Sequence, residues 1–312
     1  MRCLGIALVA LVAVVVVASA SAGGVPVQIT PVADRLWVTS NSGVRVVEPT
    51  TGAVHLGPAT TYPYATSVAW LGNTLWIASI TNGYLAGAVD GFNARTAAPL
   101  SRSVNDRREA VYALGASGDT LWAWFGSPNA GSHSTLVRFT TADTRLRRFP
   151  LQGRPGWMVA TPKGLWFTDG KTLRTFGRFD SSARTIDKAP APSAPLAYGA
   201  GGVWLISGRT ATPFDITTRQ RGASVRSQQP IILAAATHRE LWLVTWNGSH
   251  AQLLAMTPGG RVTRSRSLSF IPSDLRPADG HLWLGKSSGN PAVLEFDERS
   301  LRQERNITGL SY

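Results

Sequence analysis

Residues 164–169 read Gly-Leu-Trp-Phe-Thr-Asp, and the pair near their centre, a leucine or valine followed by tryptophan, recurs along the chain. The seven tryptophans of these pairs, separated by 38 to 46 residues, are Trp37, Trp76, Trp122, Trp166, Trp204, Trp242 and Trp283. A period near 40 residues with one aromatic-rich strand per unit is typical of small sheets arranged in a ring. The repeat therefore predicts the architecture, and it assigns much of the aromatic content to the core.

Each unit of the repeat contains four strand-like segments. The first precedes the tryptophan, and clear examples are residues 26–33, 65–71, 155–161 and 272–278. The second contains the tryptophan, and the fourth is polar. The third ends in an apolar residue followed by a turn, as at Phe92-Asn93, Phe179-Asp180, Phe214-Asp215 and Phe296-Asp297. Because Asp, Asn and Thr side chains bond the backbone two residues further on, we expect them to cap these turns.

Seven units of four antiparallel strands predict an all-β, seven-bladed β-propeller over residues 23–312. Each tryptophan buries about 150–250 Å² when it is enclosed, so we expect the seven rings to pack between neighbouring blades. Pro26 precedes Trp37 by the same number of residues as Pro272 precedes Trp283. We therefore expect blade 1 to have its own first strand and residues 301–308 to form the last strand of blade 7. The termini then meet without exchanging a strand.

The first 22 residues differ from the repeat. Arg2 is their only charged residue, an apolar run covers residues 4–18, and Ala20-Ser21-Ala22 matches an A-x-A cleavage pattern. The run is shorter than a membrane-spanning helix normally requires. We interpret residues 1–22 as a signal peptide that is cleaved on export, with an uncleaved N-terminal anchor as the alternative. Cys3 is the single cysteine, so the exported chain contains no disulfide.

After residue 22 the chain has 30 basic and 18 acidic residues, a formal charge of +12. Arginine dominates the excess and recurs late in the repeats, as at Arg147, Arg221, Arg264 and Arg305. A basic exported protein is attracted to anionic surfaces, so we expect an anionic envelope polymer, a protein or a peptide as partner. The alternative is that these charges keep edge strands from pairing with other sheets. The sequence contains no motif of basic and aromatic residues that would indicate binding to a specific nucleic-acid sequence. We expect a monomer that has no transmembrane segment after cleavage.

The strand Leu-Trp-Phe-Thr at 165–168 and the repeated Phe-Asp turn resemble those of the streptogramin lyase (virginiamycin B lyase) family. The repeat is also similar to the wider group of extracytoplasmic propellers of the NHL and YVTN types. The resemblance covers the chain after residue 22 and implies a seven-bladed propeller. For the lyases it further implies a magnesium ion and a histidine base on the propeller face, which open a cyclic depsipeptide by elimination.

Most residues expected of such a lyase are missing. Blades of that family commonly carry an acidic residue three positions after the tryptophan, and only Asp169 matches here. His250 has no carboxylate two residues away, and Asp279-Gly280-His281 lies on a turn away from the expected active face, so the sequence does not assemble the oxygen ligands of a magnesium site. The five histidines lack metal-ligand spacing, and we interpret them as solvated turn or loop residues. We predict no cofactor, metal site or catalytic residue; a lyase-like enzyme with a relocated site is the alternative.

Uneven loops on one side of the ring indicate where a ligand binds. Loops joining second to third strands and loops joining consecutive blades share that side, and they lengthen around blades 2 and 3. Long loops on a rigid scaffold commonly carry recognition. We predict stacking surfaces and anion contacts from Tyr62, Tyr64, Tyr84, Trp124, Phe125, Arg107 and Arg108. The alternative is that these are ordinary loops packed on their own aromatics.

A second candidate site is the rim of the central channel. Asp169 and Lys286 are the only charged residues among the positions three after each tryptophan, beside four serine or threonine hydroxyls. Such a rim can hold a small polar ligand or ion, and the alternative is a water-filled channel. The sequence thus predicts an exported, non-catalytic propeller that serves as a binding or scaffolding module at the cell envelope.

Overall fold

The computed structural model describes residues 27–32, 34–40, 42–126, 133–140, 146–152, 155–177, 179–190 and 194–310. These residues form seven separate sheets, each with four antiparallel strands in chain order. The prediction of an all-β, seven-bladed propeller is therefore confirmed. The signal peptide predicted at residues 1–22 lies outside the described residues. Within the described part of the chain, no helix has the length and apolar character needed to cross a bilayer.

Blades 1 to 4 follow one another along the first half of the chain. Blade 1 contains β1 (Gln28–Val32), β2 (Arg35–Ser40), β3 (Gly43–Val47) and β4 (Val54–Leu56). Blade 2 contains β5 (Tyr64–Leu71), β6 (Thr74–Ile80), a 3₁₀ helix (Asn82–Tyr84), β7 (Gly87–Asn93) and β8 (Pro99–Asp106). Blade 3 contains β9 (Ala110–Ser117), β10 (Thr120–Gly126), β11 (His133–Thr140) and β12 (Arg147–Gln152). Blade 4 contains β13 (Pro155–Thr161), β14 (Gly164–Asp169), β15 (Thr172–Gly177) and β16 (Arg184–Lys188).

Blades 5 to 7 complete the ring. Blade 5 contains β17 (Leu196–Gly199), β18 (Gly202–Ser207), β19 (Thr210–Phe214) and β20 (Val225–Arg226). Blade 6 contains β21 (Ile231–Ala236), β22 (Leu241–Trp246), β23 (Ala251–Met256) and β24 (Val262–Leu268). Blade 7 contains β25 (Asp274–Ala278), β26 (His281–Lys286), β27 (Ala292–Asp297) and β28 (Gln303–Ile307).

The first strand of every blade lines the centre of the ring. Each of these strands contacts the first strands of the two neighbouring blades, and β25 contacts β1, so the circle is closed. Because the strands of each blade alternate in direction, all blade-to-blade connections and all loops between second and third strands lie on one side, here called the upper face. The turns between first and second strands and between third and fourth strands lie on the opposite side, here called the lower face.

The seven repeated tryptophans are all buried, which confirms their predicted place in the core. Trp283 of blade 7 shares a cluster with Val27, Ile29 and Leu36 of blade 1, and Trp37 of blade 1 packs likewise against blade 2. Each ring therefore bridges one blade to the next. At about 25 cal/mol per Å² of apolar area removed from water, burial of these rings stabilises each blade by several kcal/mol.

Polar contacts between β1 and β25 hold blades 1 and 7 together. The Asp274 carboxylate accepts from the backbone N–H of Ile29 at 2.6 Å, and Arg276 Nε donates to the Ile29 carbonyl at 2.9 Å. Ser273 Oγ donates to the Val27 carbonyl at 2.9 Å. Blades 1 and 7 are each built from four consecutive strands, so the prediction that no strand is exchanged at the seam is confirmed.

The turns after the third strands of blades 2, 5 and 7 behave as predicted. Asn93 Oδ1 accepts from the backbone of Arg95, Asp215 Oδ1 from that of Thr217, and Asp297 Oδ1 from that of Ser300. These bonds satisfy backbone donors that the strand ladder leaves free, so the short polar side chains cap the turns as expected.

Blade 4 departs from the predicted pattern. There the buried phenylalanine that ends the third strand is Phe176, whereas Phe179 lies beyond β15 with 85% of its surface exposed. The Asp180 carboxylate accepts from the backbone N–H of Gly177 at 2.9 Å and folds the chain back directly after the strand. The prediction that Phe179-Asp180 ends this strand was wrong by three residues.

Candidate functional site

Trp124 and Phe125 are core residues, and the prediction that they offer stacking surfaces to a ligand is wrong. Both are completely buried, because β10 extends to Gly126 and includes the first residues of the segment that the sequence indicated as a loop. Consecutive residues of a strand point to opposite sides, so the two rings face different neighbouring blades. Trp124 meets Phe167 of blade 4 edge to face, with ring centroids 5.2 Å apart, and Phe125 joins the cluster between blades 2 and 3.

Four of the other predicted residues lie on the upper face, around blade 2. Tyr62 and Tyr64 are half-buried, and Tyr64 packs against the cluster between blades 2 and 3. Arg107 and Arg108 are exposed in the connection from β8 to β9. Tyr84 belongs to the 3₁₀ helix between β6 and β7, and its side chain lies outside the described residues.

Hydrogen bonds fix the connection from blade 1 to blade 2 onto the strands of blade 2. The buried Asp90 carboxylate accepts from Thr61 twice, from its backbone N–H at 2.8 Å and from its hydroxyl at 2.7 Å. The backbone N–H of Tyr62 donates to Ser79 Oγ at 3.2 Å, and Tyr62 Oη donates to Asn105 Oδ1 at 3.1 Å. The last bond joins the blade 1–2 connection to the end of β8, so Tyr62 is held close to the arginine-bearing segment that follows β8.

The acidic groups beside Arg107 and Arg108 interact with other residues. Asp106 forms an ion pair with Arg148 of β12 at 3.1 Å, and Glu109 accepts from Thr135 Oγ1 at 3.3 Å. Burial raises the pKa of Glu109, and the hydrogen bond from Thr135 opposes that rise. Among the described residues Arg107 and Arg108 form no ion pair. This part of the upper face is therefore positively charged.

The structure does not bring the two predicted rim residues together. Asp169 ends β14 in blade 4, and its buried carboxylate accepts from Arg174 Nη1 at 2.7 Å. Burial raises the pKa of Asp169, and the Arg174 guanidinium opposes that rise. Lys286 ends β26 in blade 7, which is not a neighbour of blade 4, and it is half-buried. Asp169 thus interacts within its own blade and not with Lys286.

A third group of residues, on the lower side of blade 7, was missed from the sequence. His281 is not a simply solvated turn residue: its Nδ1 lies 3.0 Å from Glu295 Oε1 and 3.2 Å from Glu304 Oε2. His281 and Trp283 also line a cavity of about 200 Å³ between blades 7 and 1. His281, Glu295 and Glu304 lie on β26, β27 and β28, so no short sequence motif indicates that they form a group. Only the cross-strand register, which pairs Glu295 with Trp283 and Arg305, places them side by side.

No protein-family model and no curated protein sequence matches the chain. Solved structures nevertheless share its fold. Dihydro-heme d1 dehydrogenase NirN in complex with DHE has a TM-score of 0.59 and 10% identity; the match covers 92% of this chain and slightly under two thirds, 66%, of that one. The Cps50 (Swd1) β-propeller domain of Myceliophteria thermophila has a TM-score of 0.64 and 14% identity, covering 88% of this chain and 98% of that one. Apo AztD from Citrobacter koseri has a TM-score of 0.55 and 11% identity, covering 96% and 95%. At these identities the likeness shows the fold alone.

Proposed function

We propose that this protein is an exported, non-catalytic binding module that acts at or outside the cell envelope. Its ligand is a protein, a peptide or an envelope polymer that presents anionic groups to the upper face around blade 2. The observation that carries this proposal is the exposed pair Arg107 and Arg108, which lacks ion-pair partners among the described residues and follows closely on Asn105, the hydrogen-bond partner of Tyr62.

The chemistry of this surface suits phosphate or carboxylate groups. The guanidinium group is planar and presents its donors in a fork that matches both anions. Because Tyr62 is tethered to Asn105 and Ser79, the surface beside the arginines is ordered before a ligand arrives. A site that is already ordered loses less conformational entropy on binding. Rigid propeller loops can therefore bind an anionic group without rearrangement.

The basic character of the whole chain supports the same class of ligand. The formal charge of +12 after residue 22 attracts anionic surfaces over distances of about 10 Å at moderate ionic strength. Export rests on the apolar segment and the Ala20-Ser21-Ala22 cleavage pattern. Expression with and without residues 1–22, followed by N-terminal sequencing of the protein found outside the cell, tests this part of the proposal.

The binding experiment uses two polyanions, inorganic polyphosphate and poly-L-glutamate, titrated against the purified protein at several salt concentrations. We expect the double variant R107A/R108A to bind the preferred polyanion about ten-fold or more weakly and with a smaller salt dependence. R184A/R226A is the matched control, because it removes two exposed arginines from blades 4 and 5 and leaves the same net charge.

Three outcomes would overturn the local site. Equal losses in the two double variants would show a diffuse electrostatic adhesin with no preferred face. Binding that does not weaken between low and high salt would exclude an anionic ligand. Failure of both polyanions to bind the native protein would remove the proposed ligand class.

The resemblance to streptogramin lyases supplies the alternative function. Such an enzyme would open a cyclic depsipeptide by elimination, with a magnesium ion and a histidine base in a relocated site. Incubation with virginiamycin B in the presence and absence of magnesium distinguishes the two functions. Magnesium-dependent ring opening by the native protein would replace the non-catalytic proposal.

A further inference from the structure

We propose that blade 7 contains a binding site for a divalent transition-metal ion, formed by His281, Glu295 and Glu304. One nitrogen and two carboxylate oxygens from these residues lie within 4.8 Å of one another. The site lies toward the lower face, on the opposite side of the ring from Arg107 and Arg108. It is independent of the proposed polyanion site.

The distances from His281 to the two carboxylates are close to those expected around a shared ion. His281 Nδ1 is 3.0 Å from Glu295 Oε1 and 3.2 Å from Glu304 Oε2. Donors that each lie about 2.0–2.2 Å from one tetrahedral Zn²⁺ are about 3.3–3.6 Å from one another, so the two separations from His281 need to widen by only a few tenths of an ångström. His281 Nδ1 is nevertheless buried without a hydrogen bond of acceptable geometry among the described residues. A cation between these atoms would satisfy the nitrogen and both carboxylates at once.

The second observation is the burial of Glu295. Its side chain is only 4% exposed, and its Oε2 has no hydrogen-bond partner among the residues that the structure describes. Burying a carboxylate is costly unless a charge or a metal compensates it. Arg305 Nε approaches Glu295 Oε2 at 3.4 Å, on the side away from the oxygen that faces His281. This arginine can orient the carboxylate, as outer residues commonly do for metal-binding side chains.

The local charge also favours a cation. Glu295 and Glu304 carry two negative charges when ionised, and Arg305 compensates one of them. With a neutral imidazole the group has a net charge of −1, inside a protein that is strongly basic overall. The negative charge that attracts a divalent ion is therefore local to this site, because the chain as a whole is positively charged.

The internal repeat shows that blade construction does not require this glutamate. In each blade one residue of the third strand pairs with the repeated tryptophan. In chain order these partners are Val46, Gly91, Arg138, Thr175, Pro213, Ala255 and Glu295. Only blade 7 places a carboxylate there, opposite a strand that begins with a histidine. Six blades fold with other residues, so the triad is an addition to the scaffold.

The donor set indicates which ions the site takes. An imidazole favours zinc and related transition metals over magnesium and calcium, which prefer all-oxygen sites. Three protein donors leave a fourth position of a tetrahedral ion open. His281 also lines the cavity of about 200 Å³ between blades 7 and 1, whereas Glu295 and Glu304 are not among its lining residues.

The test measures metal binding directly. Protein without a histidine tag is freed of metal with a chelator and titrated with Zn²⁺ by calorimetry, and Co²⁺ absorption spectra report the coordination. We expect one Zn²⁺ per chain in the native protein. H281Q and E304Q should each bind about ten-fold or more weakly. H55Q is the matched control, because His55 approaches a single carboxylate, that of Glu48, at 3.4 Å. H55Q should bind as the native protein does.

Near-ultraviolet circular dichroism establishes that each variant is folded before titration. Absence of stoichiometric Zn²⁺ and Co²⁺ binding by the native protein would overturn the proposal and leave the triad as a network of ion pairs. Native affinity in H281Q would place any bound ion elsewhere and would overturn it equally. Neither result bears on polyanion binding, so the two proposals fail separately.

Discussion

Asp274 and Ile29 are 245 residues apart in the chain, and the carboxylate of one accepts the backbone N–H of the other at 2.6 Å. Arg276 Nε donates to the carbonyl of the same isoleucine at 2.9 Å and to Asp274 Oδ2 at 3.1 Å. Both charged side chains are buried between blades 7 and 1. The ring is therefore closed by a polar clip between first strands, together with the apolar cluster around Trp283.

Replacing Asp274 by asparagine should weaken this closure strongly. The change keeps the shape of the side chain but removes the negative charge beside the buried Arg276 guanidinium. Loss of one partner of a buried ion pair costs about 3–5 kcal/mol, and we expect that loss in the free energy of unfolding in urea. D34N is the control, since Asp34 is largely exposed and should change stability by less than about 1 kcal/mol. Similar values for the two variants would contradict the role assigned to the clip.

Trp124→Ala should lower the free energy of unfolding and leave the polyanion site intact. Its ring is completely buried against Phe167, and truncation of such a residue costs about 3–5 kcal/mol. Trp246→Ala is the comparison, because Trp246 is 36% exposed and should lose clearly less. Both variants are followed by denaturant unfolding. A stable W124A protein that no longer binds polyanion would restore Trp124 as a ligand contact.

Arg174→Met should make stability fall as pH rises. Without the guanidinium the buried Asp169 carboxyl is left uncompensated, and its pKa, already raised by burial, rises further. The folded protein then binds more protons than the unfolded chain between the two pKa values, so alkalinisation through that window destabilises it. At neutral pH we expect a loss of about 3–5 kcal/mol relative to the native protein.

The control for this prediction is R184M, which changes an exposed arginine of the same blade. Urea unfolding of both variants across the acidic range measures the slope of stability with pH. If the difference in the free energy of unfolding between R174M and the native protein did not change with pH, the pKa of Asp169 would not depend on Arg174.

The turn carboxylates of blades 5 and 7 should give the opposite pH dependence. Backbone bonds from Thr218 and Thr217 lower the pKa of Asp215, and bonds from Ser300 lower the pKa of Asp297. A folded pKa below the unfolded value of about 3.9 contributes stability above that value and loses it as pH falls through the folded pKa. Carbon-13 titration of the carboxyl groups should locate both midpoints below the unfolded value.

D297N provides the check on this interpretation. Asparagine keeps an oxygen that can accept from Ser300, so the turn is retained while the titration disappears. The acid-dependent loss of stability should therefore be smaller in D297N than in the native protein. An unchanged acid transition would assign that loss to other carboxyl groups.

The sequence predicted the scaffold better than the site. The tryptophan repeat and the turn residues are local signals, and they located seven blades and their caps. The place of Trp124 and Phe125 was misjudged, because both belong to β10 and their side chains alternate into two blade interfaces. Composition cannot distinguish an aromatic residue in a loop from one in a strand that continues.

The sequence alone determined the number of blades, the burial of the seven tryptophans and the capping of the turns. Each of these depends on residues a few positions apart, so periodicity and side-chain chemistry were sufficient. Only the tertiary structure decided that Asp274 meets Ile29, that Tyr62 meets Asn105, and that His281 lies between two glutamates. These groups lie on different strands or blades, and the strand register and the closure of the ring bring them together. Sequence patterns that extend over a few residues therefore cannot predict these contacts.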